Sequence, residues 1–114
     1  MKPIKFSIFG ADGLTCQMPR IRDAMQSLGH ILSDESPDLI YSNDPTGYPK
    51  AVALKKKFPD SYLILNFLDV PWHMPKVEQQ TKLLVEHFLL KSDATTVISF
   101  KVKKDLSKFI NKKI

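Results

Sequence analysis

Tyr62-Leu63-Ile64-Leu65-Asn66-Phe67 follows the turn-forming Pro59-Asp60-Ser61 and opens with four large apolar residues in a row. A strand wetted on one side alternates apolar and polar residues, whereas a continuous apolar run this short fits a central strand of a parallel sheet covered by helices on both faces. Four more short runs flank it. Residues 4–9 (Ile4 to Phe9), 30–33 (His30 to Ser33), 39–42 (Leu39 to Ser42) and 95–99 (Thr95 to Ser99) are rich in β-branched or aromatic residues and closed by Gly, Asp, Asn or Pro. The pieces between them carry helical periodicity. Ile21, Ala24, Met25 and Leu28 fall at i, i+3, i+4, i+7, with Gly29 as the stop and Thr15 as the expected N-cap. Ala51, Leu54 and Phe58 share a face before Pro59, Val77, Thr81, Leu84, Val85 and Phe88 form a third stripe, and Val102, Leu106, Phe109 and Ile110 a fourth. Strand and helix in alternation cannot close as hairpins. Right-handed crossovers then give a parallel sheet with helices on both faces.

The expected fold is therefore α/β, a small Rossmann-like three-layer sandwich. The short connection between the second and third strands, Asp34 to Pro37, points to a reduced five-stranded sheet of order 2-1-3-4-5. With 114 residues, 43% apolar and 25% charged, the chain has ordinary globular composition and the length of a single domain, 1–114. The single cysteine, Cys16, excludes an intrachain disulfide. With His30, His73 and His87 scattered, a Cys/His zinc site lacks ligands, so no metal and no cofactor are expected. The opening residues lack a signal-peptide h-region, and no run approaches the length of a membrane span. A reducing, cytoplasmic setting is the expectation.

Residues 1–99 balance 11 Lys/Arg against 11 Asp/Glu, so the net charge of +5 comes from the last fifteen, where six lysines face only Asp105. Lys101, Lys103, Lys104, Lys108, Lys112 and Lys113 read as the solvated face of a terminal helix, and they could also give weak, peripheral contact with an anionic membrane surface. Nucleic-acid binding would call for aromatic stacking platforms among the basic residues; Phe100 and Phe109 read instead as core, and no nucleic-acid partner is expected.

In parallel α/β sheets ligands sit beyond the carboxyl ends of the strands, where strand order reverses. Four segments occupy that rim: Gly10 to Thr15, Asn43 to Pro49, Leu68 to Pro75, and the Ser99-Phe100 turn. Gly10-Ala11-Asp12-Gly13 can bring backbone amides close to an anion, although it matches neither a dinucleotide fingerprint nor a P-loop. Asn43 and Asp44 offer an amide and a carboxylate to sugar hydroxyls in what reads as a turn-rich loop. Asp69, Trp72 and His73 combine an acid–base pair with a stacking ring. Two further patterns carry no chemistry. Ser42, Asp69 and His73 lack a nucleophile elbow. Glu78 and Glu86, eight apart on a helix, stand about 80° and about 12 Å from each other.

The order of these segments resembles the N-terminal domain of GT-B-fold glycosyltransferases of family four, also called group 1. The resemblance runs through Lys5-Phe6-Ser7-Ile8-Phe9-Gly10 to Leu28-Gly29-His30, then Pro37-Asp38-Leu39-Ile40-Tyr41-Ser42-Asn43-Asp44 and Leu63-Ile64-Leu65-Asn66-Phe67-Leu68-Asp69. Its most specific part is Ser92-Asp93-Ala94-Thr95-Thr96-Val97-Ile98-Ser99 followed by Val102-Lys103-Lys104-Asp105-Leu106. It implies an acceptor-binding half whose glycine turn approaches the donor diphosphate, with Asp69 and His73 as catalytic candidates and Gly10, Asp12, Gly13, Asn43, Asp44, Trp72 and Ser99 as substrate-binding ones. Leu68 stands where that family places a sugar-contacting histidine, so that contact does not carry over. The implied partners are a nucleotide-sugar, a sugar or lipid-linked acceptor, and a C-terminal donor domain in cis or in trans, without which this half should not turn over. A non-catalytic Rossmann-like binding or scaffold module is the alternative. A receiver-like or flavodoxin-like domain fits less well, because the acidic pair and late lysine it needs are not convincing here.

Overall fold

The structure, a computed structural model, describes residues 2–13, 16–67, 86–97 and 100–107. Five strands form one all-parallel sheet in the order β2-β1-β3-β4-β5: β1 Lys5–Phe9, β2 Ile31–Leu32, β3 Leu39–Ser42, β4 Tyr62–Phe67 and β5 Ala94–Val97. This is the sheet order that the short β2–β3 connection predicts, and β3 and β4 have the expected bounds. The helices are α1 Gln17–Ser27, α2 Tyr48–Lys57, a helical stretch at 86–90 (α3) and α4 Phe100–Ser107. Because the chain moves one way from β1 to β2 and the other way from β3 to β4, right-handed crossovers set α1 and α2 on opposite faces.

The first helix differs from its expected stripe. It starts at Gln17 with Cys16 as N-cap and no side-chain capping bond, and it buries Met18 while Ile21 and Met25 are half-buried; Ala24 is exposed and Leu28 is 70% exposed. The inward face thus runs 18, 21, 25, one turn earlier than the 21, 24, 25, 28 pattern. The stop at Gly29 is as expected, and its mechanism is visible. Gly29, at φ +94°, donates its N–H to Gln26 O and His30 donates to Met25 O, the paired bonds of a Schellman motif. That termination and the bend after Ser33 leave β2 only two residues, shorter than 30–33.

The main core lies under α2. Ile40, Leu63, Leu65 and Phe67 face Tyr48 and Ala51, joined by Leu89 of α3 and Val102 of α4. Leu63, Leu65 and Phe67 point the same way because strand side chains alternate, and all three are fully buried. On the other face Ile64 is half-buried and Tyr62 is 51% exposed. The amino ends of the strands are tied by Lys55, whose ammonium donates to Pro59 O at 2.7 Å and to Ser61 O and pairs with Asp93 Oδ2 at 3.1 Å. Asp93 Oδ2 also accepts from Leu63 N at 2.7 Å. One lysine therefore clamps the end of α2 to the starts of β4 and β5.

Candidate functional site

The carboxyl ends of β1, β3, β4 and β5 form one rim, with Phe9 beside Ser42 and Phe67 beside Val97. The strand order reverses between β1 and its neighbours, and the segments leaving β1 and β3 meet there. Asn43 donates its backbone N–H to Phe9 O at 2.9 Å. Gly10, at φ +146°, lies so close that an added Cβ would stand 2.9 Å from Asp44 Oδ2 and 3.3 Å from Asn43 Cβ. Gly47 is tighter still, since a Cβ there would lie 2.7 Å from both Gly10 N and Phe9 Cβ and closer yet to Ser42 Oγ.

The segment 43–49 is not the open loop that its Asn, Asp, Pro and Gly content predicts. Asp44 caps a 3₁₀ turn, Pro45–Gly47, and α2 begins at Tyr48, which is fully buried. Proline is favoured in the first turn of a helix, where its missing N–H costs nothing. Pro45 and Pro49 are thus helix-start residues here.

Asp44 is 7% exposed. Its Oδ2 accepts from Ala11 N at 2.9 Å, its Oδ1 accepts from Thr46 N at 2.9 Å, and its carbonyl accepts from Ser42 Oγ at 2.8 Å. Hydrogen bonds to an ionised acceptor are the strong ones, so this carboxylate acts as an internal anion that occupies an amide of the glycine turn. Asn43, 1% exposed, is likewise engaged, its Oδ1 accepting from Tyr41 Oη at 3.2 Å and its carbonyl from Asn66 Nδ2 at 3.0 Å. The belt continues across the sheet. Thr96 Oγ1 donates to Asn66 Oδ1 at 2.8 Å, and Tyr48 Oη donates to Asn66 O at 2.7 Å. Burial raises the Tyr48 phenol far above its ordinary range, with the charges of Asp44 and Tyr41 adding to it, and burial followed by the Asp44 charge raises Tyr41. Both hydroxyls remain protonated donors at neutral pH.

Beside this belt a cleft of about 290 Å³ opens at the end of β1. Phe9 and Met18 give it an apolar floor, Gly10 and Gly47 its back, and Asp12, Thr46 and Lys50 its polar edge. Asp12 and Lys50 make no ion pair with each other. A carboxylate, a hydroxyl and an ammonium around an apolar floor can hold a polyhydroxylated ring by its edge hydroxyls. A depression of about 310 Å³ lies at the opposite end of the sheet, between Ser36–Asp38 and Lys57–Ser61, away from the rim.

Of the residues expected at a site, Gly10, Asn43 and Asp44 are brought together, and Gly10 and Asp12 line the cleft. Gly13 is exposed and turned toward Cys16, whose Sγ lies 3.5 Å from where a Cβ would be. Asp69, Trp72, His73 and Ser99 lie outside the described residues, as do Thr15 and most of the third helical stripe. Thr46, Lys50, Asn66 and Thr96 were not singled out by sequence reasoning. For Asn66 a signal existed, namely a polar amide inside an otherwise apolar strand. Among the described residues no group of three or more His, Cys, Asp or Glu side chains could hold a metal ion, and no helix is long and apolar enough to cross a membrane. No family model, curated protein or solved structure gives a significant match to the chain.

Proposed function

We propose that the chain is the acceptor-binding half of a sugar transferase that uses a nucleotide-sugar donor, working with a donor-binding domain supplied in cis or in trans. The observation that carries this reading is the cleft at the end of β1, where Asp12, Thr46 and Lys50 surround an apolar floor at the point of strand-order reversal. These groups suit a sugar or lipid-linked acceptor, whose hydroxyls need both donors and acceptors. The donor diphosphate is a poorer fit on this side than the resemblance implies, because the Ala11 amide already serves Asp44. Charge developing on the departing diphosphate would then be stabilised chiefly by the donor domain. Asp69 and His73 are the proposed acid–base pair, Trp72 and Ser99 further substrate contacts, and the lysine-rich C-terminal segment a peripheral membrane contact in a cytoplasmic setting.

Calorimetric titration of nucleotide-sugars, with and without a candidate donor domain, tests the division of labour. The isolated chain should bind them weakly, and the reconstituted pair should transfer sugar. Tight nucleotide-sugar binding by the chain alone would overturn the assignment. A second reading, a binding or scaffold module without catalysis, is favoured by one observation, the filling of the glycine turn by Asp44. A reconstituted enzyme whose activity collapses on Asp69→Ala or His73→Ala would exclude it.

A further inference from the structure

A second cleft, of about 260 Å³, adjoins the one beside Lys50. The two share Ile8, Phe9 and Met18, so both open at the carboxyl end of β1, the first toward β3 and α2 and the second toward β2 and α1. Leu32 adds to the apolar floor of the second, and Arg22 of α1 and Asp34, just after β2, stand at its edge. Their bonding leaves both of them capacity for a guest. Among the described residues Arg22 pairs only with its neighbour Asp23, through Nε at 3.5 Å, which leaves the terminal amino groups of the guanidinium open. Asp34 accepts from Ser7 Oγ through Oδ1 at 2.7 Å and keeps Oδ2. Ser33 also lines the cleft, but its hydroxyl is spent on Glu35, whose N–H it accepts at 3.2 Å. The two clefts thus repeat one chemistry: a cation and a carboxylate border an apolar floor and do not pair with each other. A ring hydroxyl, which gives one hydrogen and accepts others, needs such a donor and acceptor together. At about 260 and about 290 Å³ each cleft lies below the range of roughly 300–1,000 Å³ usual for ligand pockets, and the two joined lie within it.

We propose, resting on the acceptor-half reading above, that the acceptor is a neutral glycan of at least two linked sugar units. Its terminal unit sits between Asp12 and Lys50 and the next unit between Arg22 and Asp34. Charge balance selects the neutral ligand. Each cleft carries one positive and one negative side chain, so its field favours neither a phosphate nor an amine. Sheet order selects the direction. β2 is the edge strand, and the second cleft therefore lies on the side of β1 away from β3 and β4. A glycan seated this way presents its terminal unit to the middle of the rim, where the sugar is to be added, and runs back toward the sheet edge, where a longer chain meets no further strand. Met18, 6% exposed and common to both clefts, lies under the link between the units. Joining two weak subsites through one covalent link makes the second contact intramolecular, so the pair binds more tightly than either unit alone.

The test is an amide-resolved NMR titration of the isotope-labelled full chain with glucose, galactose, mannose and N-acetylglucosamine, with the 1→4-linked disaccharide of each, and with glucose 6-phosphate. At least one disaccharide should bind about tenfold or more tighter than its monosaccharide. Its shifts should reach the amides of Arg22 and Asp34 as well as those of Thr46 and Lys50, and glucose 6-phosphate should bind no tighter than glucose. Arg22→Gln and Asp34→Asn, both at the cleft edge and both near-isosteric, should each lower the disaccharide affinity toward that of the monosaccharide. Arg20→Gln, which removes a charge from an exposed position of the same helix, should leave it unchanged, and the amide spectrum verifies that each variant folds. A disaccharide that binds no tighter than its monosaccharide, with shifts confined to Thr46 and Lys50, would overturn the second subsite and leave the acceptor-half reading standing. So would undiminished disaccharide binding in both edge variants. Tighter binding of glucose 6-phosphate would overturn the neutral ligand, and binding of none of these sugars would overturn the proposal together with the reading beneath it.

Discussion

Replacing Gly47 by alanine tests the tightest of the described glycine positions. At φ −89° the position lies in the right-handed region, so alanine is conformationally acceptable there and the whole cost is steric. The new methyl would meet Gly10 N and Phe9 Cβ at 2.7 Å and Ser42 Oγ closer still, against ordinary contact at 3.4 Å or more. Two of these atoms belong to the backbone or its first side-chain carbon, and Asn43 N and Asp44 Oδ2 hold that backbone in place through Phe9 O and Ala11 N. Neither partner can swing aside, so relief requires prising the β1 and β3 segments apart by several tenths of an ångström. Overpacking of this kind costs about 3 kcal/mol. With a urea slope of about 2 kcal/mol/M, the unfolding midpoint should fall by about 1.5 M. Two other glycines calibrate the measurement. Gly29→Ala, with open space around it but φ +94°, should cost about 1 kcal/mol, and Gly13→Ala, 3.5 Å from Cys16 Sγ, less than about 0.5 kcal/mol. A Gly47→Ala chain within 0.5 kcal/mol of the parent, or more stable than Gly29→Ala, would refute the account of the rim as a closed seam.

Three further outcomes are expected. Asp44→Ala strips the acceptor from the Ala11 and Thr46 amides and should cost about 2–4 kcal/mol in urea unfolding, with Asp44→Asn retaining part of that loss because its amide keeps one acceptor. Tyr48→Phe leaves the buried Asn66 carbonyl without its phenolic donor and should cost about 1–2 kcal/mol. Raising the pH should destabilise the fold through the same hydroxyls. Because Tyr48 and Tyr41 are raised in the folded state, the folded protein holds protons that the unfolded chain releases near pH 10. Stability should therefore be constant below that pH and fall as pH rises above it, more steeply in the parent than in Tyr48→Phe. Urea midpoints between pH 8 and pH 11 measure it.

Strand assignments were legible where one physical cause dominated. β3 and β4 matched because their short apolar runs are bounded by turn formers, Pro37-Asp38 and Asn43-Asp44 around β3 and Pro59-Asp60-Ser61 before β4, and the sheet order followed from the short β2–β3 connection, Asp34 to Pro37, which passes only β1. The stripe places α1 one turn late because Leu28 continues its arithmetic but sits at the C-cap, where the chain has already left the helical face. The segment 43–49 reads as a loop because Asn, Asp, Pro and Gly are turn formers, although the same residues in the order Asp44-Pro45 and Gly47-Tyr48-Pro49 open helices. At the site, Gly10 and Asp12 were found from their place after β1. Lys50 was not, because nothing in a helical lysine announces that the strand before it ends beside a cleft. The Asn43-Asn66-Thr96 belt joins three strands, and such pairing depends on register, which is not written in any one of them.

The two hydrogen bonds that Asp44 accepts also bear on how anything could bind beside it. A glycine turn awaiting a phosphate must find its final shape on contact, at a cost in conformational entropy. This one is already set by a side chain of its own, so free and occupied forms should share one geometry and little affinity should be lost to ordering. Selectivity then falls to Asp12, Thr46 and Lys50, exposed residues that can be exchanged without unsettling the sheet beneath them.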